Sequence, residues 1–194
     1  MCNEACAIIY HMIPLATKLR PQKLEDFVGQ EQIIGTQSFL YQAIIDDNVP
    51  SLIFWGPPGS GKTTLALIIA KETKADFKQL SAVNSGVKDL RVILDQAEIN
   101  HRFNQKTILF IDEIHRWNKA QQDALLPEIE NGKVILIGAT TENPSFAVTS
   151  ALLSRCRTVV LESLTAADLT KIIARAAKQE KIKLSQEVVK FIAG

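Results

Sequence analysis

Short apolar runs and longer amphipathic segments alternate along the middle of the chain. The apolar runs at residues 51–55, 107–111, 134–137 and 158–161 have the length of buried strands, and residues 77–82 have a weaker strand pattern. The amphipathic segments have helical spacing, at residues 62–73, 87–104 and 118–130. Apolar strands separated by helices are typical of parallel sheets covered on both faces, so we predict a three-layer α/β domain on a five-stranded parallel sheet. Pro127 predicts a bend or an end within the third helix.

The pattern changes after residue 162, where only helical segments follow. Thr165 and Asp168 have the spacing of a capping box, which predicts a helix to about residue 178, and Ser185 predicts the start of another. We therefore divide the chain into an N-terminal tail at 1–13, an α/β core at 14–162 and the beginning of a small helical subdomain at 163–194. Because the last helices have no evident partner in the sequence, we expect the N-terminal part of a longer protein.

Composition and charge exclude several classes of protein. The 194 residues are 46% apolar, and 22 Lys and Arg stand against 21 Asp and Glu, for a net charge of +1. This balance is typical of an ordered globular chain, and any binding of nucleic acid must come from a local basic patch. The longest candidate for a membrane span, 5–13, is interrupted by Tyr10 and His11 and is much shorter than the required ~20 residues, so we predict no membrane segment.

The three cysteines, Cys2, Cys6 and Cys156, form an odd and sparse set without metal-ligand spacing. Such usage favours a reducing compartment over a disulfide framework. We therefore expect a cytoplasmic protein.

A glycine-rich turn between the first strand and the first helix fits the Walker A pattern. Its positions are Gly56, Pro57, Pro58, Gly59, Ser60, Gly61, Lys62 and Thr63, and Thr64 follows directly. The glycines let backbone N–H groups turn inward around a phosphate, and the helix that begins near Lys62 adds the positive end of its dipole. Lys62 supplies charge to the β- and γ-phosphates, and the Thr63 hydroxyl is a hard oxygen ligand for Mg²⁺. The turn therefore predicts a site for ATP and Mg²⁺.

Two acids, Asp112 and Glu113, follow the third apolar strand. Because α/β sheets bind ligands at the carboxyl ends of their strands, we expect both acids beside the phosphates. Asp112 would hold the Mg²⁺, and Glu113 would polarise the water that attacks the γ-phosphate. His115 comes two residues after Glu113, and we assign it no role because a lone histidine is more often a packing or hydrogen-bonding residue.

The fourth apolar strand also ends in polar residues, which include Thr140 and Thr141. In one interpretation such a side chain hydrogen-bonds the γ-phosphate or the attacking water. In the other, these residues only form a turn. The pattern of residues leaves both interpretations open.

Four segments carry a resemblance to known proteins. They are Gly-Pro-Pro-Gly-Ser-Gly-Lys-Thr-Thr at 56–64, Phe-Ile-Asp-Glu-Ile-His-Arg at 110–116, Gly-Ala-Thr-Thr-Glu-Asn-Pro-Ser-Phe at 138–146 and Leu-Leu-Ser-Arg-Cys-Arg at 152–157. Together they resemble the AAA+ ATPases, and in particular the RarA/MgsA family, whose eukaryotic members include the Werner-helicase-interacting ATPase. The resemblance covers all but about the first dozen residues. It implies a P-loop AAA+ core followed by a helical lid.

The resemblance also implies roles for residues outside the Walker motifs. Thr141 matches the sensor 1 residue, and Arg155 matches the clamp-loader arginine finger, which acts on ATP bound by the neighbouring subunit. Ser81 matches a polar residue that restrains the catalytic glutamate. The segment that packs around adenine and ribose in such ATPases contributes Arg20, Pro21, Val28 and Gly29.

By resemblance, the parent protein hydrolyses ATP and acts in DNA replication, recombination and repair at stalled forks. The implied partners are gapped, forked or single-stranded DNA ends, the single-strand-binding protein and further copies of the same chain. The implied location is the bacterial cytosol or nucleoid, or the nucleus in a eukaryote. The alternative is an ATP-switched module that remodels or recruits protein partners without touching DNA, and a small-molecule P-loop kinase ranks last.

One departure from the family pattern bears on activity. In the family, an Asp-Ala-Arg motif with the sensor 2 arginine comes soon after a segment like 191–194, where this sequence stops, and the C-terminal helical part associated with oligomerisation is not in it either. From the sequence we therefore expect this chain alone to show weak or absent nucleotide binding and little hydrolysis.

Overall fold

A computed structural model of the protein describes residues 14–194. The predicted tail at 1–13 lies outside the described residues, and so do Cys2 and Cys6. Among residues 14–194, no helix is both long enough and apolar enough to cross a membrane.

A single parallel sheet forms the centre of the fold. Its strands β1 to β5 span Leu52–Trp55, Asp76–Ser81, Thr107–Asp112, Ile135–Thr140 and Arg157–Val160. They lie in the order β2-β3-β4-β1-β5, and every neighbouring pair is parallel. All five predicted strands are confirmed, as is the parallel sheet.

Helices cover both faces of this sheet. Helices α1 to α11 span Leu15–Lys18, Glu31–Ile34, Phe39–Ile45, Lys62–Glu72, Val87–Arg102, Lys119–Asp123, Leu126–Glu130, Pro144–Ala147, Ser150–Leu153, Ala166–Gln179 and Gln186–Ala193. Short 3₁₀ turns lie at Leu24–Asp26 and Ile114–Arg116. The segment at 118–130 is two helices and not one, because Pro127 occupies the first turn of α7, where a residue without an N–H group is tolerated.

The alternation of side chains along each strand produces two apolar cores. Phe54 and Phe110 point to the core shared with α4, while Ile53 and Ile111 point to the core shared with α5. All four side chains are fully buried, and each such burial stabilises the fold by about 1.5–3 kcal/mol. The predicted three-layer α/β class is confirmed.

The order of the strands determines where the functional residues meet. The adjacent strands β3, β4 and β1 lie in the middle of the sheet, and all three run in the same direction. Their carboxyl ends therefore meet at one edge, which is where α/β sheets bind ligands. The glycine-rich loop follows β1, Glu113 follows β3, and Thr141 follows β4.

The helical segment after β5 contacts the core through α10. The predicted capping box is confirmed, because the Asp168 N–H group donates to Thr165 Oγ1 at 3.2 Å and the Thr165 N–H group donates to Asp168 Oδ2 at 3.1 Å. Arg175 donates to the backbone oxygen of Asp26 at 2.7 Å, and Glu180 pairs with Lys18 at 2.7 Å. Helix α10 is thus held over the N-terminal part of the described chain.

Candidate nucleotide site

The loop between β1 and α4 needs glycine at two points where space is smallest. A Cβ on Gly56 would lie 2.2 Å from the backbone oxygen of Leu161. Gly61 has a φ of +97°, and a Cβ there would lie 2.7 Å from the ring of Phe27. No side chain caps α4 at Gly61, so the first N–H groups of the helix are free of a local cap and suit an anion.

Lys62 is buried at the start of α4. Its ammonium donates to the backbone oxygens of Gly56 at 2.7 Å and Pro57 at 2.9 Å. Burial lowers the pKa of Lys62 from its usual value, and the negative charges of Glu113 and Asp112 oppose that shift. The two acids therefore help to keep the lysine charged in a partly dry place.

A cavity of about 310 Å³ lies between the loop and the two strand ends beyond it. Its lining residues are Arg20, Pro58, Gly59, Gly61, Lys62, Thr63, Thr64, Asp112, Glu113 and Thr141. We call it the phosphate cavity. It brings together the loop, both acids and Thr141 from three separate segments, while Gly56, Pro57 and Ser60 are not among its lining residues.

The phosphate cavity offers hard oxygen donors for a metal ion. Thr63 supplies a hydroxyl, and Asp112 supplies a carboxylate at the end of β3. Residues 14–194 contain no cluster of three or more His, Cys, Asp or Glu side chains that could hold a metal. The donor set fits Mg²⁺, which is usually bound by one or two protein oxygens together with phosphate oxygens and water.

Glu113 and His115 form a contact that the sequence analysis did not assign. Glu113 has a left-handed backbone with φ of 55°, and its Oε2 lies 3.1 Å from Nε2 of His115. The His115 side chain is only 4% exposed, and its Nδ1 lies 3.0 Å from Oγ1 of Thr140. The only hint in the sequence is a polar residue at the end of each of two strands, which become neighbours only in the folded sheet.

A second cavity of about 490 Å³, mostly lined by apolar side chains, lies beside the glycine-rich loop. We call it the apolar cavity. Arg20 lines both cavities, and Pro21 and Val28 line the apolar one. Gly29 lies outside it, in a recess beside Asp168. No sequence motif marks the other apolar residues of this cavity, which are Leu15, Ala16, Leu19, Phe27, Leu164, Ile172, Ile173 and Ala176.

Comparison with known protein families finds one that matches most of the chain. Residues 19–159 match the family described as the Holliday junction DNA helicase RuvB P-loop domain. The chain belongs to the RuvB P-loop domain family of AAA+ ATPases. Its similarity to RarA/MgsA proteins comes from relatives such as the replication-associated recombination protein A of Haemophilus influenzae, which is 52% identical over 174 residues.

Other AAA+ relatives extend the comparison. The ATPase WRNIP1 of Dictyostelium discoideum is 47% identical over 176 residues, which are 91% of this chain and 20% of that protein. The Haemophilus match covers 90% of this chain and 39% of the relative. Among solved structures, the Thermotoga maritima RuvB Holliday junction branch migration motor has a TM-score of 0.76 and 34% identity, over 90% of this chain and 59% of that one. The chain thus spans less than two thirds of each of these relatives.

Two residues assigned from the AAA+ resemblance lie apart from the phosphate cavity. Arg155 pairs with Glu130 and donates to the backbone oxygen of Ala151 at 2.7 Å, and it lines neither cavity. Ser81 stands opposite Asp112 in the β2–β3 register. Among the described residues, the Glu113 carboxylate lies beside the ring of His115, two positions further along the chain. In the same part of the chain, Glu113 has no hydrogen bond to Ser81, which pairs with Asp112 in the sheet.

Proposed function

We propose that this chain carries the ATP-hydrolysing site of a factor that acts in DNA replication, recombination and repair at stalled forks. The observation that carries the enzymatic part is the phosphate cavity, in which Lys62, Thr63, Asp112, Glu113 and Thr141 line one space of about 310 Å³. The loop geometry and the helix N-terminus suit phosphates, and the two acids suit a metal and a water molecule.

Each residue has a separate part in the proposed hydrolysis. Lys62 and the loop N–H groups bind the β- and γ-phosphates, and Thr63 and Asp112 hold Mg²⁺, which neutralises charge on the phosphate oxygens when bound. Glu113 accepts a proton from water as the water oxygen bonds to the γ-phosphorus. The bond from that phosphorus to the bridging oxygen breaks, which releases ADP and phosphate. Thr141 donates a hydrogen bond to the γ-phosphate or orients the water.

The apolar cavity is the proposed site of the adenine ring and ribose. It adjoins the phosphate cavity at Gly59, Gly61 and Thr64, which line both spaces. Arg20 stands at the same junction. A flat apolar base therefore fits between α10 and the loop while its phosphates extend toward Lys62. We keep Pro21 and Val28 in this role, and Gly29 shapes the turn beside it with a φ of +75°.

Arg155 is the proposed finger that acts on ATP held by a neighbouring copy. Arg155 lines neither cavity of its own chain, which supports a role in trans. In that role its guanidinium stabilises the phosphoryl group that is transferred in the site of a neighbouring copy. The proposal therefore requires a homo-oligomer. Glu130 holds the arginine in the single chain.

The DNA part of the proposal comes from the relatives. Their names refer to replication-associated recombination and to a Holliday junction motor. The basic residues near the N-terminus add little support, because Lys18 pairs with Glu180 and Arg20 lines the two cavities. Gapped or forked DNA and the single-strand-binding protein are the proposed partners, in the cytosol or nucleoid, or in the nucleus of a eukaryote.

The test is steady-state ATP hydrolysis by a chain extended beyond residue 194, with and without gapped or forked DNA, with the Glu113→Gln variant of the same chain as the blank. Stimulation by one DNA structure supports the DNA-directed role. A rate above the blank that ignores every DNA structure moves the proposal to the ATP-switched partner module. A rate equal to the blank under all conditions contradicts hydrolysis at this site.

A further inference from the structure

The buried imidazole of His115 connects the two strand ends that face the phosphate cavity. Its Nε2 lies 3.1 Å from Oε2 of Glu113, at the end of β3. Its Nδ1 lies 3.0 Å from Oγ1 of Thr140, the last residue of β4. The His115 side chain is only 4% exposed, although it carries two polar nitrogens.

The hydrogen bonds in this cluster have a defined direction. A carboxylate only accepts, so the hydrogen between His115 and Glu113 belongs to Nε2. In the neutral imidazole Nδ1 is then an acceptor, 3.0 Å from the Thr140 hydroxyl, and that hydroxyl oxygen accepts from the backbone N–H group of Glu142 at 3.0 Å. The chain of bonds therefore runs from the backbone at Glu142 through Thr140 and His115 to Glu113.

A second carboxylate competes weakly for the same nitrogen. Glu142 Oε1 lies 3.5 Å from Nε2, against 3.1 Å for Glu113. The Glu142 side chain is 61% exposed, whereas that of Glu113 is 35% exposed. The shorter and less solvated contact is the one to Glu113, so His115 acts mainly on that residue.

Thr141 lies between the two anchors of this network. It lines the phosphate cavity, while the hydroxyl of Thr140 and the N–H group of Glu142 on either side of it are hydrogen-bonded to each other. A ligand that binds Thr141 therefore contacts the segment 140–142, and the Thr140 side chain of that segment lies beside His115. This gives a physical path from the γ-phosphate position to the carboxylate of Glu113.

We propose that His115 is a positioning residue that fixes the carboxylate of Glu113 and links it, through Thr140, to the segment that carries Thr141. This inference rests on the proposed function, in which Glu113 activates water. His115 itself does not touch the nucleotide. It sets the direction of the Glu113 carboxylate, and that direction follows what occupies the γ-phosphate position.

Two substitutions separate this role from simple packing. In His115→Gln the side-chain amide nitrogen replaces Nε2 and can still donate to Glu113, whereas in His115→Asn the amide lies at the position of Nδ1 and reaches only Thr140. We expect His115→Asn to lower kcat by about 10-fold to 100-fold, as misplacement of a reacting group by ~1 Å does, and His115→Gln to lower it less. The Kd for ATP should change less than about twofold in both, because neither variant removes a phosphate contact. His101→Gln, on the exposed side of α5, is the matched control.

Nuclear magnetic resonance of ¹⁵N-labelled histidine tests the link without relying on turnover. The His115 signal, identified by its loss in His115→Gln, should carry its proton on Nε2 and move in Glu113→Ala. It should also move more with a non-hydrolysable ATP analogue and Mg²⁺ than with ADP and Mg²⁺. A proton on Nδ1 alone, or equal spectra with the two nucleotides, overturns the inference. So does an unchanged kcat in His115→Asn, provided that the wild type exceeds the Glu113→Gln blank. A wild-type rate equal to that blank contradicts the proposed function instead, and the two-nucleotide spectra then decide the inference.

Discussion

The two cavities at the carboxyl edge of the sheet share Arg20 but are built differently. The phosphate cavity is made from a loop and two strand ends that the central sheet holds in fixed register. The apolar cavity needs α10 as one wall, and α10 is held by a few contacts such as those of Arg175 and Glu180. The shape of the phosphate cavity therefore depends on the sheet, whereas the shape of the apolar cavity depends also on how α10 packs against the N-terminal residues.

The largest effect is expected from Glu113→Gln, which tests the chemistry of the phosphate cavity alone. Loss of a general base typically costs about 10²–10⁴ in rate, and we expect kcat to fall by that factor. The Kd for ATP should stay within about twofold, since Glu113 binds no phosphate in the proposed arrangement. Glu72→Gln, at the exposed end of α4, is the control and should hydrolyse ATP like the wild type. Equal turnover in the Glu113→Gln and wild-type proteins would remove Glu113 from its role.

Filling the apolar cavity tests whether that cavity binds the base of ATP independently of the phosphate cavity. Ile172→Trp places a large ring in that cavity and should weaken ATP binding by about 10-fold, because the base loses its place. Inorganic tripolyphosphate should bind as before, since its site lies on the sheet. Lys171→Trp adds the same ring on the exposed side of α10 and should change neither affinity. Isothermal titration with both ligands measures the difference, and equal loss for both ligands in Ile172→Trp would show that the two cavities are not independent.

A smaller effect is expected when the docking of α10 is loosened. Arg175→Ala removes the hydrogen bond to the backbone oxygen of Asp26. One such bond contributes about 0.5–1.5 kcal/mol, so the Kd for ATP should rise by about 2-fold to 10-fold, with tripolyphosphate unaffected. Lys178→Ala, further along the same helix, is the control for a lost positive charge. An Arg175→Ala protein with wild-type ATP affinity would show that α10 is held by its apolar contacts alone.

The smallest effect is expected at the thiol of Cys156, which is partly buried between α9 and β5. Burial raises the pKa of Cys156 from 9.0 to about 12. Between these values the unfolded chain loses the proton while the folded chain keeps it, so this thiol makes the fold less stable as pH rises from 9.0 to about 12. Cys156→Ala should reduce that loss in thermal unfolding measured at several pH values. Mass spectrometry after iodoacetamide treatment should find Cys156 modified more slowly in the folded protein than in the unfolded protein, and equal rates would contradict this prediction.

Much of the fold could be predicted from the sequence because it is encoded locally. The central strands β1, β3 and β4 are mostly apolar and buried, and the Walker A turn and the acids at the end of β3 are contiguous motifs. Pro127 correctly predicted an interruption within 118–130, but not that a second helix, α7, begins there, because a proline can either kink a helix or begin one.

The rest of the site depends on which strands and helices become neighbours. The contact of His115 with Thr140 exists only because β3 and β4 are adjacent, and the order of strands is not written in any one segment. The apolar cavity likewise requires α10 to return to the N-terminal residues, more than a hundred positions away in sequence. The roles of Thr141 and Arg155 stay predictions.

The most direct test of the account is titration of Mg²⁺-ATP and of tripolyphosphate into the wild-type protein, Lys62→Ala and Lys71→Ala. Lys62 lies in the phosphate cavity, while Lys71 is an exposed lysine on the same helix. We expect Lys62→Ala to weaken the binding of both ligands by about 10-fold to 100-fold, which corresponds to the loss of one charged hydrogen bond. Lys71→Ala should weaken the binding of neither ligand. Equal affinities of all three proteins for ATP would contradict the claim that the phosphates bind at this edge of the sheet.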